Sequence, residues 1–424
     1  MTTTNTSTPG KVFSGYDAFI IAILALLQFT IVLDFMVLSP LGAILMKEMH
    51  ITTTQFGYVV SAYAFSAGAS GLLAAGFADK FDRKKLLLFF YGGFMLGTLC
   101  CAIAPNFHFL LIARVITGIF GGVIGSVSMA IITDLFRMEV RGRVMGFVQM
   151  SFSASQILGL PIGLILADHF GWHAPFSMIV GFGVVLGLVI MIYMKPIAGH
   201  LAIKQEKNAF HHLASTLTEP SYLMAFLATT LIATGGYMLM PFASTFAINN
   251  LGLKWDQLSI LYGMTGLAAL LFGPLTGKLS DRIGKYPVFC IGTGAAILML
   301  AIYGNLGITP LSIVVAINMV MFVAVTARVI ASSALMTAIP RPQDRGAFMS
   351  INSAVQQISG GIGSVVAGFI VFQDATGKLV HYDTLCYVVI GAMLVMLVLM
   401  YQVNQIASRK QQEDAQQAQK SVLA

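Results

Sequence analysis

Apolar runs of about 20 residues, separated by short polar stretches, repeat along the whole chain. The first is YDAFIIAILALLQFTIVLDFMVLSPLGAIL, in which nothing from Ala18 to Leu45 is charged except Asp34. A run of that length suits one crossing of a bilayer by an α-helix rising about 1.5 Å per residue. The alternation over about ten residues that marks a transmembrane strand is absent. Backbone groups in lipid must be satisfied within their own segment, so the runs predict helices. The pattern gives twelve spans, at 17–41, 54–76, 85–104, 108–132, 142–167, 172–194, 221–246, 255–279, 286–305, 309–331, 345–371 and 384–404. The first could pass for a signal peptide, but it is too long, Asp34 interrupts it and no small-residue cleavage pattern follows. We read it as a retained first span. One long connection, KPIAGHLAIKQEKNAFHHLASTLTEP at 195–220, is polar and of mixed charge and divides the spans six and six. The expected organisation is a six-helix bundle at 1–194, a linker at 195–220, and a second six-helix bundle with a short tail at 221–424.

Composition agrees with the pattern: 57% of residues are hydrophobic and 10% charged, against about 25% charged in soluble domains. This is an all-α membrane protein. The net charge of +7 raises the question of a nucleic-acid partner, and its distribution answers it. Of 24 Lys and Arg, 19 fall on the side that holds the termini and the linker, counting those at the span ends there, three on the other side (Lys47, Lys254, Lys378), and two in the interior of spans (Arg114, Arg328). An excess of that kind marks the cytoplasmic side. The basic balance therefore records topology, places both termini in the cytoplasm and calls for no nucleic acid. Cys100, Cys101, Cys290 and Cys386 lie in predicted spans and read as apolar filler, with no disulfide or metal spacing. The histidines lack ligand spacing, and no phosphate-binding loop is present. No enzyme, cofactor or metal site is expected, and ATP is not the expected energy source.

The chain is duplicated. AAGFADKFDRKKLL (74–87) follows span 2 and TGKLSDRIGKYPV (276–288) follows span 8, with Asp79 matching Asp281 at an offset of 202. Arg141-Gly142 matches Arg345-Gly346 at 204, and Pro40 matches Pro241 at 201. Three landmarks at nearly one offset mean two halves running in the same sense, an architecture of secondary transporters with a site between the halves.

On these residues the sequence resembles the major facilitator superfamily over essentially its whole length. The family's loop signature is matched best by Gly277, Asp281, Gly284 and Lys285. The first copy keeps Asp79, Arg83 and Lys84 but has Ala75 and Asp82 where the family has glycines. Asp tolerates the left-handed backbone conformation that Gly supplies, so the turn is expected to survive. RVITGIFGG (114–122) in span 4 is similar to the family's Arg-x-x-x-Gly motif. ILGLPIGLILADHFGWHAPF (157–176) is similar to the Gly-Pro motif of twelve-span drug–proton antiporters, especially the arabinose- or purine-efflux branch. Its markers are Gly159, Pro161 and Gly163, with Leu160 and Leu164 departing from the pattern. The resemblance implies twelve transmembrane helices in two pseudo-symmetric six-helix bundles, with spans 1, 4, 7 and 10 lining a central cavity.

A mid-membrane carboxylate costs roughly 2.5–3.5 kcal/mol and ordinarily finds a partner or a cavity. Counted from the span ends, Asp34 lies about 10 Å and Arg114 about 9 Å below the same surface, so the two can meet. The functional reading is a protonation switch, in which separating the pair lets Asp34 take a proton. The bland readings are a static ion pair and an Asp that snorkels to the outer interface. By the repeat offsets Asn318 stands opposite Arg114 and Gly235 takes the Asp34 slot, so the charged pair belongs to the first half alone. The glycines after Arg114 read as helix-packing positions. The resemblance further implies a cytoplasmic gate of Asp79, Arg83, Lys84, Asp134 and Arg141, with Asp281 and Arg345 as repeat counterparts. Polar side chains that could line the cavity are Thr30, Tyr63, Gln149, Gln156, Tyr237, Asn318, Asn352 and Gln356. Gln149 and Gln156 share one helix face, as do Asn352 and Gln356. Arg328 is expected to reach the headgroups.

The expected function is proton-coupled export of a small organic molecule by a monomer in a bacterial inner membrane, its partners being substrate, protons and lipid. Uptake of a sugar, nucleoside or organic acid shares the fold. A lipid flippase would need a lateral opening, and a receptor a sizeable soluble domain.

Overall fold

The computed structural model describes residues 13–74, 78–202, 209–341 and 344–423. The spans run Gly15–Val37, Thr53–Ala74, Arg83–Ala102, Phe107–Leu135, Val140–Phe170, Ala174–Tyr193, Pro220–Asn249, Trp255–Ile283, Lys285–Tyr303, Leu311–Thr337, Arg345–Ile370 and Tyr382–Arg409. Eleven of these are long and apolar enough to cross a membrane. Span 11 is the exception: it has 26 residues but carries Asn352, Gln356, Gln357 and several Ser and Gly. It packs along spans 2 and 7, which cover much of that polar surface.

Local chemistry sets the helix starts. Span 1 opens with a capping box in which Ser14 Oγ accepts from Asp17 N at 3.1 Å and Asp17 Oδ2 from Ser14 N at 2.9 Å. Asn106 caps span 4 by accepting from Phe109 N at 3.0 Å. Asp82 caps span 3, accepting from Lys85 N at 3.0 Å with φ −57°. The expected left-handed turn is therefore not used in the first repeat; Asp82 replaces it with a cap. In the second repeat Gly284, at φ +99°, ends span 8 and begins span 9 within one residue, a conformation that suits Gly.

Within the first six spans the main contacts are 2 with 4, 3 with 4, 3 with 6, and 1 with 5 and 6; within the second six they are 7 with 11 and 12, 8 with 10, and 9 with 10 and 12. Spans 2 and 4 meet backbone to backbone. A Cβ on Gly122 would lie 2.3 Å from the Ala67 carbonyl oxygen, and one on Gly118 2.5 Å from that of Tyr63. Close approach through small residues holds helices together where lipid removes the hydrophobic drive.

The two halves meet through span 2 against 11 and span 5 against 8. The end away from the termini is sealed. Here the repeat is visible in the backbone: Gly42–Glu48 after span 1 and Ala243–Asn249 in span 7 are short helices in register at an offset of 201. They touch, with Ser39 Oγ donating to the Met240 carbonyl and Ser244 Oγ to the Ser39 carbonyl. Thr53 Oγ1 donates to Val371 O at 2.6 Å and Thr54 Oγ1 to Gly368 O at 2.7 Å. A two-stranded hairpin, Phe372–Gln373 with Leu379–Val380, closes over this end, held to Asn249 and Asn250. Toward the terminal end, spans 5 and 8 pack closely only through residues 155–170 and hardly at all through 138–154.

Two elements depart from the expected pattern. Span 5 is not one regular helix: residues Ser155–Gly159 form a π-helical turn. The linker is not plain connection either, because Ala209–Thr218 is a helix packed on spans 7 and 11.

Candidate functional site

Span 1 presents Asp34 to the interior of the first half, and span 4 presents Arg114 to the same point. Arg114 Nη1 donates to Asp34 Oδ2 at 2.8 Å, and both side chains are fully buried. The Thr98 hydroxyl of span 3 donates to Asp34 Oδ1 at 3.1 Å. Each carboxylate oxygen thus has one partner. Arg114 Nε and Nη2 have no hydrogen-bond partner. The guanidinium lies over the Tyr63 ring of span 2, its carbon 4.6 Å from the centroid, within range of a cation–π contact. Cys101 Sγ and Thr117 Oγ1, 3.8 Å apart, belong to the same buried group. Thr98 was not among the residues expected here. Its only sequence signal is depth: it sits about 9 Å before the expected outer end of span 3 at 104, level with Asp34.

The Gly-Pro stretch of span 5 abuts this site from the other side. A Cβ on Gly159 would lie 2.6 Å from Leu33 Cδ1, and one on Gly163 3.2 Å from Val37 Cγ2. Leu33 and Val37 flank Asp34 on span 1. Ser151 Oγ and Ser155 Oγ donate to the Ala25 and Phe29 carbonyls at 2.6 and 3.1 Å, clamping span 5 to span 1. Pro161 faces the other half, 3.8 Å from a Cβ placed on Gly263 of span 8. A π-turn inside a helix commonly marks a functional position, and this one sits where span 5 touches both span 1 and span 8.

The polar residues expected to line a cavity divide into two groups. Tyr237 is half-buried and its ring lies 5.5 Å from that of Phe35, which lies 5.4 Å from Tyr63. Gln149 and Gln356 are exposed, and Asn352 is half-buried, accepting from Thr229 Oγ1 at 2.6 Å. Gln156 is buried within the π-turn. It does not share the exposure of Gln149, because the extra residue of the turn shifts the helix phase between them. Two residues are corrected outright. Thr30 is buried against span 3, its hydroxyl donating to Leu27 O at 2.8 Å and lying 3.5 Å from Tyr91 Oη. Asn318 is buried within the second half, its amide donating to Val314 O at 2.9 Å. Arg328 is likewise not at the headgroups. It is 8% exposed, 5.7 Å over the Phe289 ring and 3.7 Å from Met396 Sδ.

At the terminal end Arg83 Nε donates to Asp134 Oδ2 at 2.9 Å and Arg83 Nη1 to Ala78 O at 3.0 Å. The side chain of Asp79 lies outside the described residues. Lys84 does not join this pair: its Nζ reaches the Met191 carbonyl of span 6 at 2.9 Å. Arg141 donates to the Phe136 and Thr133 carbonyls, satisfying the C-terminal end of span 4. In the second repeat Asp281 is exposed and pairs with Lys285 at 3.4 Å, and Arg345 is exposed at the start of span 11. The first-repeat pair has no buried equivalent among the described residues of the second. Among those residues no group of His, Cys, Asp and Glu could hold a metal.

A profile of the Major Facilitator Superfamily matches residues 24–224 and again residues 225–424. The MFS-type transporter YceJ of Bacillus subtilis, itself uncharacterized, is 29% identical over 349 residues, 81% of this chain and 87% of that protein. Among solved structures, a D-xylose–proton symporter superposes with a TM-score of 0.73 at 18% identity, over 90% of this chain and 97% of that one. A bacterial homolog of the human lysosomal transporter Spinster, inward-facing and unoccupied, superposes with a TM-score of 0.68 at 18% identity, over 95% and 99%.

Proposed function

The chain belongs to the major facilitator superfamily, and from that premise we propose that it exports a small organic molecule in exchange for protons, by alternating access. The observation that carries this reading is the enclosed Asp34–Arg114 pair. An isolated carboxylate in an apolar interior is costly when ionised, whereas a paired one is tolerated. Any movement that draws Arg114 away therefore favours a proton on Asp34. Restoring the pair expels that proton. A substrate that instead binds the ionised Asp34 carboxylate competes with that proton and would leave as the proton enters, which is antiport.

In this reading the termini are cytoplasmic, as the Lys and Arg distribution supports, and the sealed end faces outward. The halves at 1–194 and 221–424 rock about spans 2, 5, 8 and 11, joined by the linker at 195–220. Asp79, Arg83 and Asp134, with Arg141, Asp281 and Arg345 nearby, latch the cytoplasmic end when it closes. Tyr237, Gln149, Asn352 and Gln356 face the substrate path. The small-residue stretch with Gly159, Pro161 and Gly163 lets span 5 pack closely on span 1 and slide against span 8.

Transport by purified protein in vesicles with an imposed proton gradient tests this, using a substrate drawn from a thermal-shift screen of antibiotics, sugars and nucleobases. Asp34→Asn is expected to be less stable than the parent but still folded, and to lose gradient-driven transport while keeping exchange at equal pH. Undiminished gradient-driven transport in that variant would falsify the role given to Asp34. The departures at Leu160 and Leu164 favour keeping uptake as the second reading. Proton movement on substrate addition separates the two: export coupling drives protons opposite to substrate, uptake coupling drives them with it.

A further inference from the structure

We infer that Phe35, acting against Tyr237 across the seam, is a positioning residue that ties the charge state of the Asp34–Arg114 pair to the closure between the two halves; this rests on the proton-coupling reading above. Phe35 follows Asp34 on span 1, so the two side chains leave the helix about 100° apart. Asp34 points into the first half and is fully buried, and Phe35 is half-buried at the seam. An unbroken series of ring contacts runs outward from the ion pair. The guanidinium lies 4.6 Å from the Tyr63 centroid, Tyr63 lies 5.4 Å from Phe35, and Phe35 lies 5.5 Å from Tyr237 of span 7.

The far end of that series is anchored to the second half. The Tyr237 ring sits on Gly360 of span 11, where an added Cβ would lie 2.6 Å from Cδ1, and Ser364 Oγ donates to the Tyr237 carbonyl at 3.2 Å. Span 11 in turn is bonded to span 2 through Thr53 and Thr54. The groups facing Asp34 are Arg114 from span 4, Thr98 and Cys101 from span 3 and Tyr63 from span 2, and Tyr237 faces Tyr63 from across the seam. Spans 5 and 6, packed on the other side of span 1, bring no ion pair or hydrogen bond to the Asp34 side chain among the described residues. A proton on Asp34 removes the charge that holds the guanidinium at 2.8 Å. The guanidinium then keeps the Tyr63 face as its main partner, and the ring stack is what that shift moves.

The test needs no substrate. Spin labels at Lys47→Cys and Lys254→Cys, exposed on opposite halves of the sealed end, report its opening, with Cys100 and Cys290 replaced by Ser. The infrared carboxyl band lost in Asp34→Asn reports protonation separately. In otherwise unaltered protein the open-to-closed ratio should change at least about fivefold over the pH range in which that band titrates, the lower edge of ordinary coupling between sites. In Phe35→Ala the band should still titrate while the ratio changes less than about twofold, and Phe35→Tyr should restore the dependence. A Phe35→Ala protein whose ratio follows the band as before overturns the inference. Absence of a titrating Asp34 band overturns the proton reading itself. A band that titrates while the ratio stays flat in the unaltered protein overturns only the link drawn here.

Discussion

Asp34 and Arg114 stabilise each other only as a pair, because each alone is an uncompensated charge in an apolar interior. Breaking a buried pair by removing one partner costs about 3–5 kcal/mol, whereas removing both charges together can be neutral. Arg114→Leu should therefore lower the unfolding temperature more than the double variant Asp34→Asn with Arg114→Leu. A thermal melt in detergent checks it, and a double variant less stable than the single one would contradict the arrangement. Asp374 behaves differently, being exposed in the hairpin turn. The Thr376 hydroxyl donates to it first, then the Thr376 and Lys378 amides, and its carboxyl is held below the ordinary 3.8. A lowered folded-state pKa means a contribution present above the unfolded value and lost as pH falls through the folded one. Protection of the 376–378 amides, taken relative to their intrinsic exchange rate at each pH, should fall only when the pH drops below about 3.8; loss of protection above that would contradict it.

Among elements, the contact of spans 2 and 4 is the tightest approach to backbone that the glycines record, and span 4 supplies its own control. Gly122→Ala places a methyl 2.3 Å from the Ala67 carbonyl oxygen, and Gly125→Ala meets nothing within 4 Å. Overpacking of that kind costs about 1–3 kcal/mol, while Ala in an unhindered helix position gains up to about 1 kcal/mol over Gly. Gly122→Ala is expected to melt lower than the parent and Gly125→Ala at or slightly above it. Equal melting of the two would mean that spans 2 and 4 stand farther apart. The π-turn of span 5 and the linker helix were not legible at this scale. A π-turn adds one residue to a helix without changing its apolar character. The linker's polarity concealed a helix that is stabilised by spans 7 and 11, not by its own composition.

For the molecule as a whole, the seal at the end away from the termini rests on a few hydrogen bonds between the halves. Such bonds in membrane helices are worth about 0.6 kcal/mol on average, and up to about 1.7 kcal/mol. Thr54→Val removes the 2.7 Å bond to the Gly368 carbonyl with little change of volume. It should shift the open-to-closed balance at that end roughly threefold toward open, the equivalent of the average value. The same spin-label pair measures it, and an unchanged distance distribution would show that the seal is held elsewhere.

The sequence by itself determined the helical membrane class, the six-and-six division, the parallel duplication and the level at which Asp34 and Arg114 could meet. Those follow from span length, charge counts and a helix's fixed rise, all of which are local or one-dimensional. Depth is one-dimensional; direction around the helix is not. Only the tertiary structure decided that Asp34 faces Thr98 and Arg114 inside the first half, that Thr30 and Asn318 turn into their bundles, and that Phe35 reaches Tyr237 across the seam. In a span that is apolar all round, periodicity cannot tell lipid from neighbouring helix from cavity. That choice is made by packing between helices whose contacts are distant in sequence.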